Sequence, residues 1–363
     1  MFSYGIPRLR RVPLGQRQSI LPLRMNDELL KKTGNIDQLC GIWESMLLHG
    51  PSEGIKIARV YNAAGLDFTV IPDRCMDIYD FSYRGVNLAF HSKNGIISPL
   101  RFSPKNDEFP EQWPGGLLAT CGLENVNLHN ESRGEAFPTH GRIGAVPAAQ
   151  FLTETGWEGD RYHLRMKGEM HETCMLKRHL SLVRTIETGM FERFVRITDR
   201  ITNMNSVPEP VMLLYHFNFG YPLIGEGARA ITEGVSLEPL NSQSSDPAIM
   251  TEPERENKVQ SFLGTCKDKK AAAFLVNEKL KLGICLEYET EYLPYLVEWK
   301  HLLPGDNVLA FEPTNVPAMN RETAEKEGKL VMLPPFEQIT TSFALRVLDG
   351  EDIFRFRSGR NTK

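Results

Sequence analysis

The chain has 363 residues, of which 41% are hydrophobic and 24% charged, and its formal net charge is −4. This content is enough for one large core or two smaller ones, and the well-spread aromatic, glycine and proline residues argue against a disordered chain. Basic residues are dispersed, and no apolar run approaches the roughly 20 residues of a membrane span. We therefore expect a globular protein with no nucleic-acid partner and no membrane segment.

The six cysteines lie far apart and form no C-x-x-C pair. This spacing favours free thiols in a reducing, cytoplasmic setting and argues against structural zinc. The first 24 residues carry several arginines among prolines without an apolar stretch, so we expect no secretory signal there.

In chain order, the sequence first predicts an N-terminal arm over residues 1–35, with a short helix at Asn26–Thr33. Strands are predicted at 54–61 and 66–71, followed by a hairpin over 81–90 that turns at Arg84 and Gly85. Residues 91–145 lose all periodicity and are predicted to be long, ordered, functional loops.

After residue 160 the alternation of apolar and polar residues returns. A strand over Val211–Gly220 is predicted to place Tyr215 and Phe217 on one face and His216 and Asn218 on the other. A polar excursion at 240–260 precedes strands at 271–276, 283–288, 293–300 and 308–312, a helical turn at 321–328, and closing strands at 329–333 and 338–347. We predict an all-β fold, one large antiparallel sandwich over 36–350 with few short helices, and a C-terminal tail at 351–363.

Three polar residues stand on or beside otherwise apolar segments: His140, His216 and Glu312. Each alone fits a packing or surface role better than a functional one, because single histidines and charges at strand ends are common. The sequence has no H-E-x-x-H, G-x-S-x-G or strand-linked G-x-G-x-x-G motif, so we expect no metal, no nucleotide and no serine nucleophile.

Six segments together resemble the aldose 1-epimerase (galactose mutarotase-like) superfamily, specifically its DUF4432 branch. The segments are P-D-R-C-M-D-I (72–78), G-G-L-L-A-T-C-G-L-E-N (115–125), H-G-R-I (140–143), Y-H-F-N-F-G-Y-P-L (215–223), E-W-K (298–300) and F-E-P-T-N (311–315). The resemblance implies a β-supersandwich and a cofactor-independent isomerase that acts on a carbohydrate. It also implies that His216 is the general acid, Glu312 the general base and His140 a substrate-binding histidine.

Further polar and aromatic residues in these segments are candidates for substrate binding: Arg142, Arg74, Asp73, Asp77, Asn218, Lys300, Trp299 and Trp113. Their charge favours a substrate with an acidic or phosphorylated group, because arginine pairs well with carboxylates and phosphates. We expect His140, His216 and Glu312 to converge on one cleft, with the last two on opposite sides of a sugar-sized space.

Three other functions remain open from the sequence, and a homo-oligomer is compatible with it. The protein could be a non-catalytic carbohydrate-binding or sugar-sensing protein on the same fold. It could also be an isomerase or epimerase of a sugar acid, since fold does not settle reaction type. A glycosidase would need a second carboxylate beside Glu312, for which Glu124 is a candidate.

Overall fold

The computed structural model describes residues 29–103, 108–242, 244, 246–350 and 352–353. The chain divides into two compact units, Met1–Gln38 and Leu39–Lys363. In the first unit, a 3₁₀ turn occupies Ile36–Gln38, whereas the predicted helix at Asn26–Thr33 begins outside the described residues. The predicted tail at 351–363 lies almost wholly outside them, and the division into arm, sandwich and tail stays a prediction.

The second unit begins with a five-stranded antiparallel sheet whose strands follow chain order. The strands are β1 (Gly41–Met46), β2 (Lys56–Tyr61), β3 (Leu66–Ile71), β4 (Asp77–Tyr83) and β5 (Val86–Asn87). Between β4 and β5, Arg84 and Gly85 have φ angles of +48° and +79°. Positive φ at both central residues is what a tight two-residue hairpin requires, and the predicted hairpin is confirmed.

The six-stranded antiparallel sheet has the order β16-β17-β20-β21-β14-β6. Its strands are β6 (Leu118–Leu123), β14 (Met212–Phe219), β16 (Glu238–Pro239), β17 (Gln260–Thr265), β20 (Tyr295–Leu303) and β21 (Asp306–Thr314). Strand β6 was not predicted, because its surroundings are rich in glycine and proline. Its pairing with β14 corrects the prediction that 91–145 is loop throughout.

The eight-stranded antiparallel sheet has the order β15-β18-β19-β23-β12-β11-β10-β9. Its strands are β9 (Leu152–Glu158), β10 (Arg161–Thr173), β11 (His179–Gly189), β12 (Phe194–Asn203), β15 (Ala228–Glu233), β18 (Lys270–Asn277), β19 (Leu282–Glu289) and β23 (Gln338–Asp349). Most of these strands match predicted ones, because they are long and alternate regularly.

Short elements complete the unit. Two small ladders pair β7 (Asn130–Ser132) with β8 (Glu135–Phe137) and β13 (Glu209–Pro210) with β22 (Met332–Leu333). Within residues 39–349, the described helices are α1 (Phe109–Gln112) and α2 (Arg321–Lys326), with 3₁₀ turns at Gly50–Ser52, Pro99–Arg101 and Ile143–Ala145. The prediction of a large antiparallel β architecture with few short helices is confirmed.

One face of β14 packs into the core between the six- and eight-stranded sheets. The Tyr215 hydroxyl lies 2.9 Å from Thr341 Oγ1 on β23, and the Phe217 ring lies 5.4 Å from the ring of Phe343. His216 follows Tyr215 directly, so its side chain leaves the opposite face of the sheet. This arrangement confirms the predicted division of the strand.

A buried guanidinium ties β11 to the other layers. Arg184 is fully buried and donates to both carboxylate oxygens of Asp199, at 2.9 and 2.6 Å. It also donates to Asp77 Oδ1 at 2.9 Å and to Thr120 Oγ1 at 2.8 Å. A buried charge is tolerated only when paired and hydrogen-bonded in this way.

All six cysteines are free thiols. Among the described residues, no helix is both long and apolar enough to cross a membrane.

Candidate active site

The candidate site is built where β14 and β21 run antiparallel in the six-stranded sheet. Phe217 pairs with Phe311 in this ladder, so the register sets His216 opposite Glu312. His216 Nε2 lies 3.2 Å from Glu312 Oε1. The sequence predicted a sugar-sized space between the two side chains. They are instead in contact, because directly opposed residues on paired strands are only about 5 Å apart at Cβ.

The pair borders a cavity of about 800 Å³. Trp113 and Trp299 flank His216, with ring centroids 5.5 and 5.6 Å from the imidazole. Other aromatic and polar side chains line the same space: Phe90, Phe109, Asn127, His140, His301 and Asp306. The cavity is large enough for a small organic ligand and combines apolar rings with a few polar groups, as ligand sites usually do.

His140 reaches this cavity from the loop before the 3₁₀ turn at Ile143–Ala145. Its backbone N donates to Asn127 O at 2.8 Å, and its O accepts from Gly122 N at 2.9 Å. Gly141 has a φ of +70°, and a Cβ there would lie 2.1 Å from Gly122 O, so only glycine fits. The His140 ring stands edge-on to His216 at 5.8 Å. All three residues first singled out in the sequence therefore line one cavity.

Burial determines how the pair holds its protons. It raises the pKa of the Glu312 carboxyl from 4.5 to about 8. Burial, with a smaller contribution from His140, lowers the pKa of His216 from 6.5 to about 3. In both residues the charged form is disfavoured because it loses its hydration. At pH 7 the resting pair is thus a protonated carboxyl beside a neutral imidazole.

Two basic residues predicted to bind substrate lie elsewhere. Lys300 follows Trp299 on β20, so its side chain leaves the other face of the sheet, where it donates to Asp246 O at 2.7 Å. Arg142 forms an ion pair with Glu124, which is 1% exposed. Neither basic residue is among the described residues that line the cavity. These placements correct the prediction and weaken the argument for an acidic substrate.

Asp73 and Asn218 are also outside the cavity. Asp73 Oδ2 accepts a hydrogen bond from Lys56 N at 2.8 Å near the surface. Asn218 shares a strand face with His216 but is fully buried, and its amide donates to Gly116 O and His216 O, each at 2.9 Å. Asn218 therefore fixes the backbone beside the site, which corrects its predicted contact with substrate.

Arg74 and Asp77 line a second, smaller cavity of about 40 Å³. Trp113 belongs to both cavity walls, so the two spaces are neighbours. Asp77 is already engaged, because its oxygens accept from Thr120 N at 2.9 Å and Thr120 Oγ1 at 2.6 Å. The Arg74 guanidinium donates to Ile97 O at 2.9 Å, and burial lowers its pKa. Of the predicted charged residues, Arg74 is the one placed to meet a group that extends beyond the large cavity.

The glycosidase alternative required Glu124 next to Glu312. Two arginines, among them Arg178, bind the Glu124 carboxylate, and Glu124 is not part of the large cavity. Apart from Glu312, the carboxylate that lines the described cavity is Asp306, which Lys93 holds in an ion pair at 2.7 Å. The arrangement therefore does not support a two-carboxylate glycosidase.

Several cavity residues were not predicted. His301 could have been found, because it follows Trp299 by two residues and so shares its strand face. Phe109 begins the single-turn helix α1, and Phe90 and Asn127 lie outside regular elements, so no periodicity assigns these side chains to a face. Among the described residues, no cluster of three or more His, Cys, Asp or Glu side chains is suited to a metal ion.

The family model described as "Domain of unknown function (DUF4432)" matches residues 52–347. The chain belongs to this family. No protein with a curated description matches it.

Solved structures place this DUF4432 chain in the galactose mutarotase-like fold. A "putative aldose 1-epimerase" from Klebsiella pneumoniae subsp. pneumoniae MGH 78578 superposes with a TM-score of 0.83 at 22% identity, covering 90% of this chain and 89% of that one. A galactose mutarotase-like protein from Clostridium acetobutylicum gives 0.58 at 15% identity, covering 86% and 99%. A galactose 1-epimerase from Lactobacillus acidophilus NCFM gives 0.55 at 12% identity, covering 86% and 99%. The resemblance predicted from the six sequence segments is confirmed at the level of family and fold.

Proposed function

We propose that this protein is an aldose 1-epimerase-like enzyme that interconverts the anomers of a sugar without a cofactor. The observation that carries the proposal is the contact of 3.2 Å between His216 Nε2 and Glu312 Oε1 at the wall of an aromatic cavity. Titratable groups with strongly displaced pKa values in a cavity are common in active sites. The fold supports the substrate class, since the structural relatives include proteins named as epimerases of sugars.

Anomer interconversion needs one acid and one base close together. Ring opening removes the proton from the hydroxyl on C1 and adds a proton to the ring oxygen. Both oxygens are bonded to C1, so a carboxyl and an imidazole in contact with each other can reach both at once. Closure from the other face of the aldehyde returns both protons. The contact between His216 and Glu312 thus suits this reaction better than the wide separation expected from the sequence.

The resting pair defines a starting point for the proton transfers. Glu312 holds the proton and His216 is neutral, so opening from this state has Glu312 protonate the ring oxygen while His216 accepts the C1 hydroxyl proton. The opposite assignment, which the family resemblance implies, needs a prior shift of the proton from Glu312 to His216. In both assignments the two side chains hold one transferable proton before ring opening, and only its position on Glu312 or His216 differs.

Binding of the sugar would rely on the cavity walls. The indole rings of Trp113 and Trp299 provide apolar faces for the C–H side of a sugar ring, and His140 provides a polar edge beside His216. Basic groups for an acidic substituent are Lys93, which lines the large cavity and pairs with Asp306, and Arg74 in the neighbouring small cavity. A panel of neutral and acidic sugars therefore tests the substrate class directly.

The deciding experiment is NMR exchange spectroscopy of α/β anomer interconversion over such a panel. We expect wild-type protein to accelerate exchange, and His216→Asn to lose about 10²–10⁴-fold of that acceleration with binding retained. His49→Asn, which changes an exposed histidine, is the matched control. Binding without acceleration by the wild type would refute the enzyme and support the sugar-sensing alternative.

The pH dependence follows from the proton on the pair. We expect kcat/KM to fall as the pH rises through about 8, where Glu312 loses the proton that the reaction needs. On the acid side, His216 stays neutral down to a pKa of about 3, so kcat/KM should remain level between roughly pH 5 and 7. A rate that rises through pH 8 would contradict this protonation scheme.

A further inference from the structure

The E-W-K segment at 298–300 contributes to both faces of the six-stranded sheet. Trp299 points into the large cavity, and Glu298 and Lys300, its neighbours on β20, point away from it. Both charged side chains are 1% exposed. A buried lysine is rare and needs strong partners. The proposed proton chemistry gives Lys300 no task, so its partners indicate what it does.

The Lys300 ammonium is bound by backbone carbonyls of one segment. Lys300 Nζ donates to Asp246 O at 2.7 Å, to Ile249 O at 3.1 Å and to Pro247 O at 3.3 Å. Glu298 Oε1 lies farther away, at 3.6 Å. An ammonium has three donors and no acceptor. The three carbonyls therefore use its full donor capacity without Glu298.

The clamped segment continues directly into the cavity wall. Ten residues beyond Ile249, Val259 lines the large cavity, and Ser261 does so after it. The segment has two further attachments. The Ala230 backbone N on β15 donates to Ala248 O at 3.2 Å, and the Asn257 amide donates to Leu302 O at 3.0 Å. Residues 246–259 thus cross the edge of the sheet, with Lys300 holding one end behind the sheet and Val259 facing the ligand space at the other.

We propose that Lys300 is a positioning residue that clamps residues 246–259 through three backbone carbonyls and thereby fixes one wall of the sugar cavity. Its effect on sugar affinity rests on the proposed function, whereas the clamp itself does not. Lys300 touches no ligand. The sequence predicted that Lys300 binds the substrate directly. The proposed clamp instead affects substrate binding through the position of the cavity wall.

Limited proteolysis tests the clamp without any assumption about activity. Arg255 and Lys258 are exposed trypsin sites within the clamped segment. In Lys300→Met the side chain stays unbranched, becomes one atom shorter and loses its donors. We expect trypsin to cut at these two sites roughly tenfold faster or more, because charge-assisted hydrogen bonds hold the segment closed. Lys269→Met, which removes an exposed lysine outside the segment, should cut at the wild-type rate.

Lys300→Met should fold, because burial raises the pKa of Glu298 to about 8 and the carboxyl can stay neutral beside methionine. If Lys300→Met fails to fold, the same trypsin measurement is made on Lys300→Arg. A planar guanidinium cannot place three donors on carbonyls that converge on one point. We expect faster cutting in this variant as well, and wild-type cutting rates in a folded Lys300 variant would overturn the clamp.

Kinetics tests the consequence for the sugar. With D-galactose and D-glucose as probes, we expect Lys300→Met to raise KM several-fold and leave kcat within about twofold, since the reacting pair is untouched. A fall in kcat with unchanged KM would overturn the role in binding. If wild-type protein does not accelerate exchange, the proposed function fails while the trypsin result still decides the clamp, and tryptophan fluorescence titration with the same sugars then replaces KM.

Discussion

Replacing Glu312 by glutamine should make the protein more stable at alkaline pH. In the fold its pKa is about 8, compared with 4.5 for an ordinary glutamate. Between these two values the folded chain keeps a proton that the unfolded chain has released. The contribution of Glu312 to the free energy of unfolding of the wild type therefore falls as pH rises through this window. Below pH 4.5 both states are protonated, and above pH 8 the ionised carboxylate is buried at full cost.

The size of the effect follows from the two pKa values. One pKa unit corresponds to about 1.36 kcal/mol, so ionising Glu312 inside the fold costs up to about 5 kcal/mol. His216 Nε2, at 3.2 Å, can donate to the carboxylate and reduce this cost. We expect Glu312→Gln to gain a few kcal/mol relative to wild type between pH 5 and pH 9. The pKa of His216 is about 3 in the fold and 6.5 for an ordinary histidine, so His216 makes stability rise with pH between these values. This contribution is present in both proteins and cancels in their difference.

Denaturant unfolding followed by circular dichroism, at half-unit steps from pH 5 to pH 9, measures the difference. Glu291→Gln, at an exposed position, is the matched control and should run parallel to wild type. Parallel curves for Glu312→Gln and wild type would show that Glu312 ionises normally in the fold. The protonated Glu312 and neutral His216 assigned to the resting pair, and the proton transfers derived from them, would then be wrong.

Three further substitutions separate structural residues from binding residues. Arg184→Met should lower the free energy of unfolding by about 3–5 kcal/mol, because it leaves buried carboxylates without their cation. Arg200→Met, at an exposed position of β12, should lower it little, and equal losses in the two variants would refute the network. Trp299→Ala should raise KM about tenfold, which corresponds to about 1.4 kcal/mol of lost binding free energy. Trp157→Ala on β9 should leave KM unchanged, and an unchanged KM in Trp299→Ala would exclude that wall from binding. Arg142→Met should leave KM unchanged and lower the free energy of unfolding by about 1–3 kcal/mol, since this arginine pairs with Glu124. A raised KM would show that Arg142 contributes to substrate binding.

Strict alternation made part of the site predictable from sequence. The two-residue period of a strand correctly assigned the residues of β14 to its two faces, with Tyr215 facing the core between the sheets and His216 on the opposite face. The same rule, applied to β20, would have shown that Trp299 and Lys300 cannot both face the ligand. Their joint assignment as binding residues ignored the geometry of the strand.

Other parts of the site depend on contacts that no local pattern encodes. Arg142 lies two residues from His140, yet the left-handed backbone at His140, with φ +58°, breaks any regular alternation there. Its partner is Glu124, 18 residues away, which the sequence could not select among many carboxylates. The contact between His216 and Glu312 depends on the register of β14 and β21. Register is fixed by the packing of whole sheets, so the sequence could name both residues but not their separation.

The aromatic walls connect binding and proton affinity in one structural feature. Trp113 and Trp299 cover His216 and border the space next to Glu312, so the rings proposed to contact a sugar are also those that keep water from the pair. Burial raises the pKa of Glu312 and is the main cause of the lowered pKa of His216. In water the imidazole would be the stronger base of the two, and in this cavity the carboxylate is. A bound sugar excludes still more water, so occupancy of the site reinforces the neutral pair from which ring opening would start.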